Sequence, residues 1–139
     1  MVYTEFYPPT GKMIKNINLQ LMHKYIVEDF KEYWSKGQGA EIHYFANEFS
    51  ATLSISANLN YGFYLNYSNG DEEEKLSLSD INKMDIFIES TDDSEVSLGL
   101  FISPNSAWEV VKTFLEEGKP SQKIQWTEPD KLPENSRFY

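Results

Sequence analysis

Between Phe49 and Tyr67 every second residue is apolar: Phe49, Ala51, Leu53, Ile55, Ala57, Leu59, Tyr61, Phe63, Leu65 and Tyr67. Successive side chains of a strand point to opposite faces, so an alternation this long suits a sheet and not a helix. It predicts two antiparallel strands with a bend near Ala57 to Tyr61. The intervening positions are mostly Ser, Thr and Asn. One face of the sheet is therefore expected to be buried and the other to meet solvent or a partner.

The flanking segments extend this reading. Val2 to Tyr7 alternates as a peripheral first strand and runs into Pro8-Pro9-Thr10-Gly11, a turn sequence. Asn18 is placed to cap a helix whose apolar stripe is Leu19, Met22, Ile26, Phe30, Tyr33 and Trp34, with Gly37 and Gly39 ending it. Strand periodicity resumes at Ile42, and Asn69-Gly70-Asp71 signals a turn after Tyr67. Leu76 to Leu78, Met84 to Ile88 and Val96 to Ile102 read as further strands separated by acidic loops.

Ser103-Pro104 opens the clearest helix, with Ala107, Trp108, Val111, Phe114 and Leu115 on its apolar side. Gly118 stops it, Pro120 prevents its resumption, and Gln122 to Thr127 reads as a last strand carrying Ile124 and Trp126. The order predicts an α+β domain, an antiparallel meander with two helices packed on one face. The 139 residues form one domain, with a loose tail from about Glu128.

Composition narrows the function classes. Hydrophobic residues at 40% supply a core, and the absence of Cys excludes disulfides, thiolate metal sites and a cysteine nucleophile. The N-terminus lacks the pattern of a secretory signal and no stretch is long enough to span a bilayer, so a cytoplasmic location is expected. Twenty-two acidic residues against twelve basic ones disfavour nucleic-acid phosphates and anionic membranes as direct partners. A basic protein suits them better.

The usual catalytic and metal-binding patterns are not found. His23 and His43 stand apart with no paired metal spacing, Gly37-Gln38-Gly39 lacks the features of a phosphate loop, and the serines lack a nucleophile elbow. Asp71 to Glu74 lacks the alternating ligands of a calcium loop. No metal and no cofactor are expected.

Charge is unevenly distributed. Ten acids lie between Asp71 and Glu95, against only Lys75 and Lys83. Gathered by the fold into one patch, they would steer a basic partner. Asp71, Glu72, Glu73, Glu74, Asp92, Asp93 and Glu95 are the candidate interface acids. Tyr64, opposite in parity to Tyr61 and Tyr67, is the candidate outward-facing aromatic anchor.

The run from Phe101 to Pro120, followed by Ile124-Gln125-Trp126, resembles the C-terminal signature of the Imm-one family, immunity proteins of bacterial polymorphic-toxin systems that accompany deaminase toxins. Pro104, Phe114, Gly118 and Trp126 carry the likeness, with structural roles. The resemblance implies neutralisation of a cognate protein toxin by covering its active site or substrate groove. The protein would act as a monomer or weak homodimer, without a cofactor. Two other readings stay beside it: a small-ligand binder with an aromatic-lined pocket between helices and sheet, and an enzyme using Asp85 and Glu89 from one strand face.

Overall fold

The computed structural model describes residues 1–70 and 73–138. A central antiparallel sheet is built from β1 (Val2–Tyr7), β2 (Ile14–Lys15), β3 (Ala40–Ala46), β4 (Phe49–Asn58), β5 (Gly62–Ser68) and β6 (Glu74–Leu78). Next in the chain come β7 (Phe87–Glu89), β8 (Glu95–Ser97), β9 (Phe101–Ile102) and β10 (Gln125–Thr127). The sheet runs β10-β6-β5-β4-β3-β1-β2, β9 pairs with β5 beside β6, and β7 and β8 form a separate ribbon. The fold is α+β, as the element order predicts.

The long alternation is realised as β4 and β5, with Leu53 opposite Tyr67 and Ile55 opposite Leu65. Ala51, Leu53, Ile55 and Ala57 point to the helix side and are buried. At its two exposed positions, Phe49 and Tyr61, the alternation reaches the strand start and the turn.

The first helical segment comprises α1 (Leu19–His23), a π-turn (Lys24–Glu28) and α2 (Phe30–Trp34). Asn18 caps it, accepting from the Leu21 amide at 2.7 Å. The π-turn follows from the spacing of its apolar residues. Met22, Ile26, Phe30 and Trp34 recur strictly every four residues, and in a regular helix each such step advances about 40° around the axis. One wider turn restores the phase. All four are buried, and the Trp34 indole donates to the Tyr25 carbonyl inside the disturbed turn at 2.9 Å.

The second long helix, α3 (Pro104–Glu117), begins as read: the Ser103 hydroxyl accepts from the Ser106 amide and Pro104 occupies the first turn. Gly118 ends it in the left-handed conformation at φ 69°, where a Cβ would also overlap the Tyr44 ring. The Tyr67 hydroxyl donates to the Gly118 carbonyl at 3.0 Å, so the helix end is fixed to β3 and β5. The helical segments share one side of the sheet, where Met22, Ile26, Trp34, Val111 and Phe114 meet Phe6, Ile42, Leu53, Ile55 and Phe63 in the main core.

Three expectations need correction. The strand foreseen from Met84 to Ile88 is shorter, Phe87–Glu89, because Met84 caps a 3-10 turn at Ile81–Lys83. The strand foreseen from Val96 to Ile102 is split by a second 3-10 turn at Leu98–Leu100. There Gly99 lies against the Asp80 backbone, leaving no room for a side chain, and its carbonyl receives the Ser79 amide at 2.7 Å. Finally, the chain beyond Glu128 is not loose. The backbone groups of Ser97 and Arg137 meet through Ser97 N–H to Arg137 O at 2.8 Å, the Ser97 hydroxyl accepts from the Arg137 amide, and Leu132 and Phe138 pack on a second core.

That second core lies on the side of the sheet away from the helices. Tyr64, Leu76, Met84, Val96, Leu100 and Phe101 form it. Ser77 ties the layers together, accepting from the Leu65 amide at 3.0 Å and donating to the Leu100 carbonyl at 2.7 Å. No helix among the described residues is long and apolar enough to cross a membrane.

Candidate protein-binding face

Among the described residues, the predicted interface acids do not come together in one patch. Glu73 and Glu74 follow the Ser68 end of β5, where the Asn69 amide donates to the Glu73 carbonyl at 3.1 Å. Asp92, Asp93 and Glu95 belong to the β7–β8 ribbon, which docks at the other end: Thr91 N–H donates to Ala57 O, and the Asn58 amide side chain to Glu89 O, both at 2.8 Å. Ala57 and Asn58 pair with Phe63 and Gly62 at the start of β5. The seven-residue β5 separates the groups, its six steps spanning roughly 20 Å at about 3.3 Å each. Asp71 and Glu72 lie outside the described residues.

Several of these acids also have local work. Glu74 accepts from the Asn66 side chain at 3.0 Å. Asp92 is partly buried, which raises its pKa, but hydrogen bonds from the Ser90 hydroxyl and the Ser94 amide and hydroxyl outweigh burial and leave it below the ordinary value. Asp93 is exposed, with φ 68°, and Glu95 forms an ion pair with Arg137, whose guanidinium also lies over the Phe87 ring. Glu95, Asp93, Ser136, Arg137 and Phe138 line an open depression of about 610 Å³.

Tyr64 is not an outward anchor. Its parity does place it away from the helices, but the 79–101 segment and the chain end cover that part of the sheet, leaving it 5% exposed. Its hydroxyl donates to the Phe138 carbonyl at 2.8 Å. The resemblance residues occupy structural positions: Pro104 in the first helical turn, Phe114 in the main core, Gly118 under Tyr44, and Trp126 with its indole donating to Ser121 O at 2.7 Å.

Asp85 and Glu89 do not share a strand face, since Asp85 lies in the turn before β7. Among the described residues, the space between helices and sheet is filled by rings, those of Phe6, Trp34, Phe63 and Phe114, each 0% exposed. Among the described residues no three His, Asp or Glu side chains gather as a metal site.

What the sequence reading missed is the half of the sheet left uncovered. On β1 and β3, away from the helices, three cross-strand pairs stand in register: Tyr3 with Phe45, Glu5 with His43, and Tyr7 with Glu41. Tyr3 and Phe45 stack at 4.7 Å, His43 lies parallel to Phe45 at 6.2 Å, and Tyr7 meets His43 edge-on at 5.3 Å. Tyr7 is 42% exposed; the other rings are half-buried.

Carboxylates are interleaved with these rings. The Tyr7 hydroxyl donates to Glu5 at 3.0 Å, and this bond, with the nearby Glu5 and Glu41 charges, raises the Tyr7 pKa above its ordinary value. Glu41 lies 2.9 Å from His43 Nε2, while Thr52 Oγ1 lies 3.2 Å from Nδ1. Beside this stripe Tyr7, Glu41, Ser54, Ser56 and Asp92 help line a cleft of about 440 Å³. The alternation of polar and aromatic residues in Tyr3 to Tyr7 and Glu41 to Phe45 was the available signal, but it is visible only once the two strands are paired.

Compared with family models, curated proteins and solved structures, the chain matches none.

Proposed function

We propose that the protein works by binding and not by catalysis, and that its partner is a basic protein toxin whose active site or substrate groove it covers. The observation that carries this reading is the excess of acid, 22 Asp and Glu against 12 Lys and Arg. Such a charge favours encounter with proteins that themselves present basic clefts, as toxins acting on nucleic acid do. The likeness of Phe101 to Trp126 to the Imm-one signature supports neutralisation as the purpose of that binding. The three ring-bearing pairs on β1 and β3 favour a protein partner, since partly exposed aromatics beside polar groups suit interface anchors.

Co-expression with the toxin encoded by the neighbouring reading frame tests the reading. The expected result is restored growth of the host and a purified complex whose dissociation constant rises steeply between low and high salt. Growth arrest that persists despite abundant folded protein overturns it.

A further inference from the structure

Resting on the reading that the partner is a basic protein, we propose that the uncovered face of β1 and β3, and not the acidic loops, docks it by receiving arginine side chains. The register supplies the first reason. Glu5 stands opposite His43 and Tyr7 opposite Glu41, so each of these pairs offers one ring and one carboxylate. Directly paired side chains have Cβ atoms about 5 Å apart. A guanidinium is planar and always charged: it can lie on a ring while its N–H fork reaches the neighbouring carboxylate, which a lysine ammonium does less well.

A cation already uses one end of the stripe. Lys15 Nζ sits 4.7 Å from the centroid of Tyr3, above the ring stacked on Phe45. Lys15 stands directly opposite Glu5 on β2, while Glu41 has Tyr7 and Ser54 across from it, so the charge that complements an incoming cation is chiefly that of Glu41. The loops are poorer candidates. Glu95 already pairs with the Arg137 guanidinium and the length of β5 separates the two groups, whereas Glu5 and Glu41 are bonded to the Tyr7 hydroxyl and the His43 ring, which hold them beside those rings.

The probe is a soluble peptide of six Gly-Arg repeats, titrated into the labelled full chain and followed by amide chemical shifts, with Gly-Lys repeats in parallel. The expected outcome is that amides of residues 3–7 and 41–45 move first, and that the arginine peptide binds about threefold or more tightly than the lysine peptide. Glu5→Gln with Glu41→Gln should weaken the arginine peptide about tenfold while the spectrum stays folded, and Glu95→Gln should not weaken it. Shifts centred on residues 73–74 and 93–95 with equal affinity for both peptides overturn the assignment, while leaving a basic partner in place.

The same face is read with the toxin. Glu41→Lys should abolish a complex that the wild type forms, and a complex indifferent to that change overturns the assignment. Failure of the wild type to hold the toxin sinks neutralisation instead, and the peptide titration then decides the face independently.

Discussion

On the helix side of the sheet, Met22, Ile26 and Trp34 from the first helical segment and Val111 and Phe114 from α3 close over Leu53, Ile55 and Leu65. On the other side, Tyr64 and Leu76 meet Met84, Val96, Leu100 and Phe101, delivered by short turns and a two-stranded ribbon, with Leu132 and Phe138 from the end of the chain. The first burial is made by long periodic elements whose apolar faces are fixed by their own geometry. The second is made by segments with little regular structure, held by specific hydrogen bonds such as Ser97 to Met84 O and Tyr64 to Phe138 O. The difference teaches that one sheet can stabilise its two faces by different means. Where neither is used, on the face of β1 and β3 away from the helices, Tyr3, Tyr7, His43 and Phe45 stay at least partly exposed.

The strongest challenge to this contrast is a truncation in the main core. Phe114 is fully buried against Tyr44 and Tyr67, and Phe114→Ala should cost about 4 kcal/mol. Thermal denaturation should record this as a fall in Tm of roughly 15 °C. A greater fall for Leu100→Ala, in the smaller core, would invert the ranking.

A second experiment asks whether the small core opens by itself. Deleting residues 133–139 removes Phe138 and Arg137 from their contacts and should cost about 2 kcal/mol locally. Hydrogen exchange should then quicken at least tenfold at Tyr64, Val96 and Ser97, while Leu53 and Ile55 keep their protection. Equal loss at both sets would mean that the two burials form one cooperative unit.

The smallest effect concerns the ribbon. Asp92 has a lowered pKa in the folded state, so its charged form contributes stability above the unfolded value, and that contribution is lost as pH falls through the folded value. Allowing for its partial exposure, Asp92→Asn should destabilise by about 0.5–1 kcal/mol at neutral pH. The gap between variant and wild type should close below the ordinary Asp range, under about pH 4. Urea titrations at pH 7 and pH 3 measure it, and a gap that widens in acid would show that the Asp92 charge does not hold the turn between β7 and β8.

The legibility of the fold follows the same division. Strict alternation from Ala51 to Tyr67 and the Ser103-Pro104 opening with its Gly118 stop are local signals, and their elements stand where local physics puts them. Tyr64 shows the limit: parity assigns its side of the sheet, but whether that side is covered depends on Phe101 and Phe138, tens of residues away. The acids between Asp71 and Glu95 are close in sequence, yet β5 and the docking of the ribbon at Ala57 hold the described groups apart. The pairing of β1 with β3, which aligns Glu5 with His43 and Tyr7 with Glu41, joins segments more than thirty residues apart and is not written in either alone.

All three indoles, those of Trp34, Trp108 and Trp126, belong to or border the main core, and the small core contains only tyrosine and phenylalanine rings. Intrinsic tryptophan emission is thus a one-sided reporter, following dissolution of the helix-covered half and passing over detachment of the chain end. Introducing Phe101→Trp would give the silent half its own optical signal, and two melting curves could then be recorded from one molecule.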